Sequence, residues 1–265
     1  MIVTTPAIVL HSRPYGESSR IVTLYTRDHG RMGVVARGVS RPRSRLAALL
    51  QPMSHISVVV YTKEGRDLQN LSAAETLSRS ASQSFSLESL TAGLSVVELV
   101  NAVTLDHDPN YHLFDELVST LRFIGSDDAP ERRIQLGFMV RTAEILGYAL
   151  RTDVCGVCEE ALQSCADTVR FNVEVGAPLC LEHRDSSSWR PLSRIAFEWL
   201  HTLVQGQVVE VDEEVSGPVF AELHDLLGTF LKHHVEGMRR LRVGGVAVQL
   251  LGDAAEPTAG APLGT

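Results

Sequence analysis

Lysine is nearly absent: the chain carries only Lys63 and Lys232, and neither follows a glycine, so no phosphate-cradling P-loop can be built. Nucleotide hydrolysis is therefore not expected. No histidine is followed by glutamate, which removes the His-Glu-x-x-His zinc helix, and there is no Gly-x-Ser-x-Gly elbow or Gly-x-Gly-x-x-Gly loop. The nucleobase-deaminase pattern is missing too, because Cys180-x2-His183 lacks the second cysteine of Pro-Cys-x-x-Cys and no His-x-Glu precedes it. An enzyme is thus the least supported reading. No stretch reaches the roughly 18 uninterrupted apolar residues of a membrane span; the longest apolar-rich segment, 90–105, is broken by Glu98 and Asn101. No basic residue precedes the short N-terminal apolar run and Pro6 interrupts it, so a secretory signal is not expected and the cytoplasm is the default compartment. Aromatics are thin at the front: residues 1–80 hold no Phe or Trp and only Tyr15, Tyr25 and Tyr61.

What is present is ordinary globular usage, 44% apolar and 21% charged over 265 residues, enough for two modest domains. The formal net charge of −8 hides a segregation: residues 1–80 carry eleven Lys/Arg against five Asp/Glu, and the remainder thirteen against twenty-seven. Eight arginines fall within 13–45, at positions 13, 20, 27, 31, 37, 41, 43 and 45, opposed only by Glu17 and Asp28. Such a block is an electrostatic footprint for polyanions, and its plain alternative is a solvated face in an arginine-rich composition. With so few aromatics beside it, contacts should run mostly from arginine to phosphate, salt-sensitive and blind to sequence. The candidate DNA-binding residues are Arg13, Arg20, Arg37, Arg41, Arg43 and Arg45.

Between Pro6 and Glu75 apolar residues recur mostly at every second position, which predicts five strands at about 4–12, 19–26, 31–38, 55–62 and 67–75. Leu46, Leu49 and Leu50 predict a short helix between the third and fourth, stopped by Pro52. Five strands with a helix in that place is the layout of an OB-fold barrel. Beyond Ser80 the period becomes helical. Helices are predicted from Leu87 to the turn at Asp106-His107-Asp108-Pro109-Asn110, over 111–124, from just after Asp128 to Gly147, over 191–204 and over 218–242. Asp106 and Asp108 read as linker residues, as does the acidic run 212–214. The expected organisation is an OB-fold DNA-binding domain over 1–80, a helical domain in two parts over 81–153 and 187–243, a zinc-ribbon module over 154–186 between them, and a flexible tail over 244–265.

All four cysteines, Cys155, Cys158, Cys165 and Cys180, fall within 26 residues, and His183 completes the cluster. Cys155-x2-Cys158, twenty-one residues, then Cys180-x2-His183 sets two pairs at knuckle spacing, able to close a tetrahedral site of three sulfurs and one nitrogen around one structural Zn2+. Cys165 is an alternative fourth ligand. Val169, Phe171, Val173 and Val175 alternate with polar residues before Gly176-Ala177-Pro178, as a ribbon hairpin would. A disulfide or a redox Cys-x-x-Cys is less favoured, since the motif lies outside any βαβ pattern.

The stretch AIVLHSRPYGESSRIVTLYTRDHGRMGVVARGVSRPRSRL (7–46) and the join LGYALRTDVCGVC (146–158) resemble, in this order and spacing, the RecO family of bacterial recombination mediators. The resemblance covers most of the chain and fades beyond Val243. It implies an α+β multidomain fold, an N-terminal OB barrel followed by an α-helical bundle with an embedded zinc ribbon, and no catalytic centre. It also implies recombinational DNA repair: binding of single- and double-stranded DNA, annealing of complementary strands, association with RecR, and help in loading RecA onto DNA coated by single-strand-binding protein. Such a protein is cytoplasmic, nucleoid-associated and not membrane-bound. The family's ribbon usually closes with Cys-x2-Cys, so His183 is a departure, and some members lack zinc altogether. The helical domain of the family can receive the acidic, apolar C-terminal tail of single-strand-binding protein. Arg132 and Arg133, beside Ile134, Phe138 and Ile145, are the residues here that could supply the cation, or they are solvated and pair locally with Glu131 or Asp128. Outside that family, a zinc-ribbon regulator or an RNA-binding module could use the same basic barrel.

Overall fold

The computed structural model describes residues 1–39, 44–78, 86–124, 130–162, 167–183, 189–206, 215–238 and 241, without the side chains of Arg45 and Ser78. Strands β1 (Ile2–Tyr15), β2 (Ser19–Thr26), β3 (Gly30–Ala36), β4 (His55–Tyr61) and β5 (Leu68–Ser78) close a barrel in the order β1-β2-β3-β5-β4, with helix α1 (Arg45–Leu49) between β3 and β4. All neighbours are antiparallel except β3 and β5. This is the OB fold. β1 and β5 run longer than the alternation predicts.

β1 holds four consecutive buried residues, Ala7 to Leu10, which a strand with one wet face would not show. Successive side chains point to opposite faces. Ala7 and Val9 enter the barrel core with Val22, Leu24, Met32, Val34, Ile56, Val58 and Val60. Ile8 and Leu10, with Tyr25 of β2, face outward into the core of the helical domain. The barrel and the helices therefore share one packed seam.

That seam is covered by α2 (Leu87–Val103), which opens at Ser86, whose hydroxyl accepts from the Ser89 N–H at 3.0 Å. Helix α3 (Tyr111–Phe123) is capped by Asn110, and α4 (Glu131–Ile145) follows Pro130 and ends before Gly147, which takes φ +90°. A three-stranded sheet of order β7-β6-β8 comes next, from β6 (Thr168–Asn172), β7 (Ala177–Leu179) and β8 (Trp189–Ser193). Helices α5 (Arg194–Val204) and α6 (Gly217–His234) complete the bundle.

Two expected helices change. The segment beginning at Pro191 opens as strand β8, paired with β6 from Thr168↔Ser193 to Asn172↔Trp189, and the helix starts only after Ser193, whose hydroxyl accepts from the Ala196 N–H. Helix α6 stops at His234 rather than running to 242, because Val235 is extended and Gly237 takes φ +68°. Arg239, Arg240, Arg242 and the expected tail lie outside the described residues. Among the described residues no helix is long and apolar enough to cross a membrane.

Candidate metal centre and nucleic-acid interface

Cys155 and Cys158 lie in a knuckle that the backbone closes on itself: Cys155 N–H donates to the Glu160 carbonyl at 2.9 Å, and Glu159, at φ +61°, returns its N–H to Cys155 at 3.0 Å. β7 and a 3₁₀ turn (Leu181–His183) bring Cys180 and His183 to the same place. Gly156 N–H donates to the Pro178 carbonyl at 2.8 Å and joins the two knuckles. Across the hairpin turn from β6 to β7, the Asn172 carboxamide accepts from the N–H groups of Glu174 and Val175. The expected ribbon is thus formed.

The four ligand atoms lie within 4.8 Å of one another. Cys158 Sγ is 3.9 Å from Cys180 Sγ, and His183 Nδ1 is 3.9 Å from Cys155 Sγ and 3.2 Å from Cys180 Sγ. Metal–sulfur bonds of about 2.3 Å and metal–nitrogen bonds of about 2.0–2.1 Å in a tetrahedron give edges of roughly 3.5–3.8 Å. The donor set therefore fits a metal ion with little movement. Burial would push the Cys155 thiol up, but the N–H groups of Cys158, Cys180 and Val157 outweigh it and pull it down to about 6, favouring the thiolate a metal needs. Cys165 lies outside the described residues.

The cross-strand register sets Arg20 opposite Pro14 of β1 and Ala36 of β3, so Arg13, Arg20 and Arg37 lie at the same end of three adjacent strands, with Arg13 on the face opposite to Arg20. Arg13 and Arg37 are exposed; Arg20 is half-buried and gives its Nη2 to the Ser12 carbonyl at 3.4 Å. Tyr15 is exposed at this same end, while Tyr25 is buried. Burial pushes the Tyr25 phenol up to about 12, and its hydroxyl donates to the Asn110 carbonyl at 3.3 Å. Arg41 and Arg43 lie outside the described residues, as does the side chain of Arg45 on α1.

Not every arginine of the basic block is on the open surface. Arg27 forms a two-pronged pair with Asp115 of α3, at 3.2 and 3.1 Å, and the guanidinium holds that carboxyl below the usual carboxylate range. Arg31 is buried against Asp106. The turn that reads as a linker, Asp106 to Asn110, is in fact where the helical domain docks: His107 N–H donates to the Arg31 carbonyl at 2.9 Å, and Gly30 lies against the Asp108 backbone. Sequence carries only an indirect signal for this joint, a glycine beside an arginine in one domain and an acidic turn in the other.

Arg132 and Arg133 are separated by their surroundings. Arg132 is buried and donates from Nη1 to the Val215 carbonyl at 2.9 Å, whereas Arg133 is half-exposed. Phe138, expected as offered apolar surface, belongs to the core, and Ile134 and Ile145 pack partly against it.

The molecule is an OB-barrel protein with a helical domain built around a ribbon, whose Cys155, Cys158, Cys180 and His183 could hold a metal ion with all four positions filled by protein donors. Two sequence families match it: one described as "Recombination protein O N terminal" over residues 1–79 and one as "Recombination protein O C terminal" over 84–242. The chain belongs to the RecO family. It is 39% identical over 170 residues to the DNA repair protein RecO of Salinibacter ruber, covering 63% of this chain and 65% of that protein. It is 34% identical over 174 residues to the DNA repair protein RecO of Pelotomaculum thermopropionicum, covering 66% and 65%. With the DNA repair protein RecO of Desulforamulus reducens the identity is 30% over 238 residues, covering 87% and 88%. The chain thus spans just under two thirds of the first two relatives and most of the third.

Proposed function

We propose that this chain is a DNA-binding recombination mediator in recombinational repair. It binds single- and double-stranded DNA, anneals complementary strands and, with RecR, helps load RecA onto DNA coated by single-strand-binding protein. It has no turnover of its own and works in the cytoplasm at the nucleoid. The observation that carries this reading is the gathering of Arg13, Arg20 and Arg37 at one end of the barrel in a chain matched by both halves of the RecO family. Arginines so placed grip phosphates and leave base edges open for pairing, which is what annealing requires. Arg41, Arg43 and Arg45, assigned from the sequence alone, are further phosphate contacts in this proposal. Residues 1–80 form the DNA-binding unit, and 81–153 with 187–243 form the helical domain. One Zn2+ is held by Cys155, Cys158, Cys180 and His183 and secures the ribbon (154–186), a segment too short to form its own core. The acidic tail of single-strand-binding protein is received on α4, with Arg133 as the cation that reaches it; Arg132, expected to share that role, is buried against the Val215 carbonyl.

The test is annealing of complementary strands coated with single-strand-binding protein, followed against salt, with and without RecR. Annealing that falls with salt and responds to RecR is expected. Selective binding to one promoter or RNA, without annealing, contradicts the proposal. A labelled tail peptide titrated into wild type and the Arg132→Ala, Arg133→Ala variant tests the α4 site, where equal affinities remove these residues from it.

A further inference from the structure

The barrel offers phosphate contacts but no tryptophan or phenylalanine on which a base could stack. Such a platform exists elsewhere, on the ribbon sheet. β8 is an edge strand, and its register with β6 pairs Trp189 with Asn172 and Pro191 with Arg170. Paired residues project from the same face of a sheet. Arg170, Trp189 and Pro191 therefore share the outer face, while Val169, Phe171 and Leu192 fill the core on the other side. The Arg170 guanidinium carbon lies 4.7 Å from the centre of the Trp189 ring, and the indole is 38% exposed. Arg190, paired with Phe171, turns to the other face, where Asp225 of α6 holds it at 2.9 Å.

Arg170 thus stacks on an exposed tryptophan in the acidic part of the chain. An indole presented beside a stacked guanidinium is a surface on which a nucleobase can lie, in a manner tolerant of sequence. The sheet is anchored: Gly176 packs against Phe230 of α6, and His234 hydrogen-bonds the Val173 carbonyl at 3.2 Å.

We infer that the outer face of β6–β8, centred on Trp189 and Arg170, is a second nucleic-acid site that stacks unpaired bases of single-stranded DNA, with Arg170 as its cation. This rests on the DNA-binding reading above and adds a tryptophan platform to a barrel whose exposed aromatics are Tyr15 and Tyr61. A duplex keeps its bases stacked on one another, so the platform acts on single strands alone.

The test uses the full chain in a Trp199→Phe background, where Trp189 is the sole tryptophan. Oligo(dT) should quench its fluorescence at the concentration at which the labelled strand binds by anisotropy. Trp189→Ala should weaken oligo(dT) binding roughly five- to tenfold, with a duplex of equal length changed less than about twofold, since one base–aromatic stack is lost. Trp189→Phe should restore most of the affinity. An equal loss on single strand and duplex, or unchanged binding with unquenched fluorescence, overturns the inference while leaving DNA binding by the barrel intact. Wild type that binds neither DNA overturns both readings, and the Arg13→Ala, Arg37→Ala variant separates them, because it lowers duplex affinity only if the barrel reading holds.

Discussion

Arg31 of the barrel reaches Asp106 of the helical domain, Nε to Oδ1 2.7 Å, and gives Nη1 to the Asn101 carbonyl at 2.6 Å. Its side chain is 5% exposed and that of Asp106 61%, so the positive partner is the one committed to the interior. Arg31 is therefore a joint that fixes the barrel on the helices, although it lies in the middle of the basic block.

Arg31→Ala should cost about 2–4 kcal/mol, because it leaves the Asn101 carbonyl and the docking turn without their donor. Asp106→Asn keeps a hydrogen-bond acceptor on the wet side of the pair and should cost less than about 1 kcal/mol. Urea unfolding of the two variants checks the order; equal losses would show that Arg31 does not bear the joint.

Gly30 takes φ +64°, and a Cβ there would overlap the Asp108 backbone. Gly30→Ala therefore adds a clash across the domain seam to the usual cost of a left-handed alanine, and should destabilise by more than about 2 kcal/mol. Gly16 takes φ +63° with nothing within 4 Å, so Gly16→Ala should cost only about 1 kcal/mol. Similar thermal shifts for both would contradict the close approach.

Much of this was legible in advance for local reasons. The apolar spacing of mostly two between Pro6 and Glu75 and the Cys-x2-Cys and Cys-x2-His pairs are short-range patterns, and strands β1 to β5 and the donor cluster follow from them. What was hidden depends on distant partners. Trp189 to Ser193 is only five residues long and becomes a strand by pairing with Thr168 to Asn172 across the ribbon. Asp106 becomes a docking residue only once Arg31 is folded against it, and Arg132 is buried because the Val215 carbonyl waits beyond the next helix. Gly237 did carry a stop signal for α6, but the basic run after it reads as a helix C-terminus.

The metal centre predicts about one zinc per chain. Cys155→Ser and Cys180→Ser should lose the metal and loosen the ribbon, and His183→Ala should lower metal content while Cys165→Ser leaves it unchanged. Elemental analysis with limited proteolysis reads both effects; full metal content in His183→Ala together with loss in Cys165→Ser hands the fourth position to Cys165.

Burial beside Phe138, Met139 and Phe220 pushes the His224 imidazole below its ordinary range, against the opposing pull of Asp225, and burial lowers His55 in the same direction. The unfolded chain takes up these protons near pH about 6.5 while the folded chain resists, so stability should fall as pH drops from 7 through 6 and stay flat on this account above 7. His224→Leu should reduce that slope and leave the part due to His55. Chemical unfolding at a series of pH values decides; an unchanged slope would mean His224 ionises freely in the fold.

The central claim, that the arginine end of the barrel grips DNA phosphates, is tested most directly by the salt dependence of binding. For wild type, log affinity should fall linearly with log salt concentration for single- and double-stranded DNA of unrelated sequences. Arg13→Ala with Arg37→Ala should weaken all of them evenly and flatten the slope by about 1 to 2, as lost phosphate contacts do. A slope that matches wild type in the double variant would contradict the account.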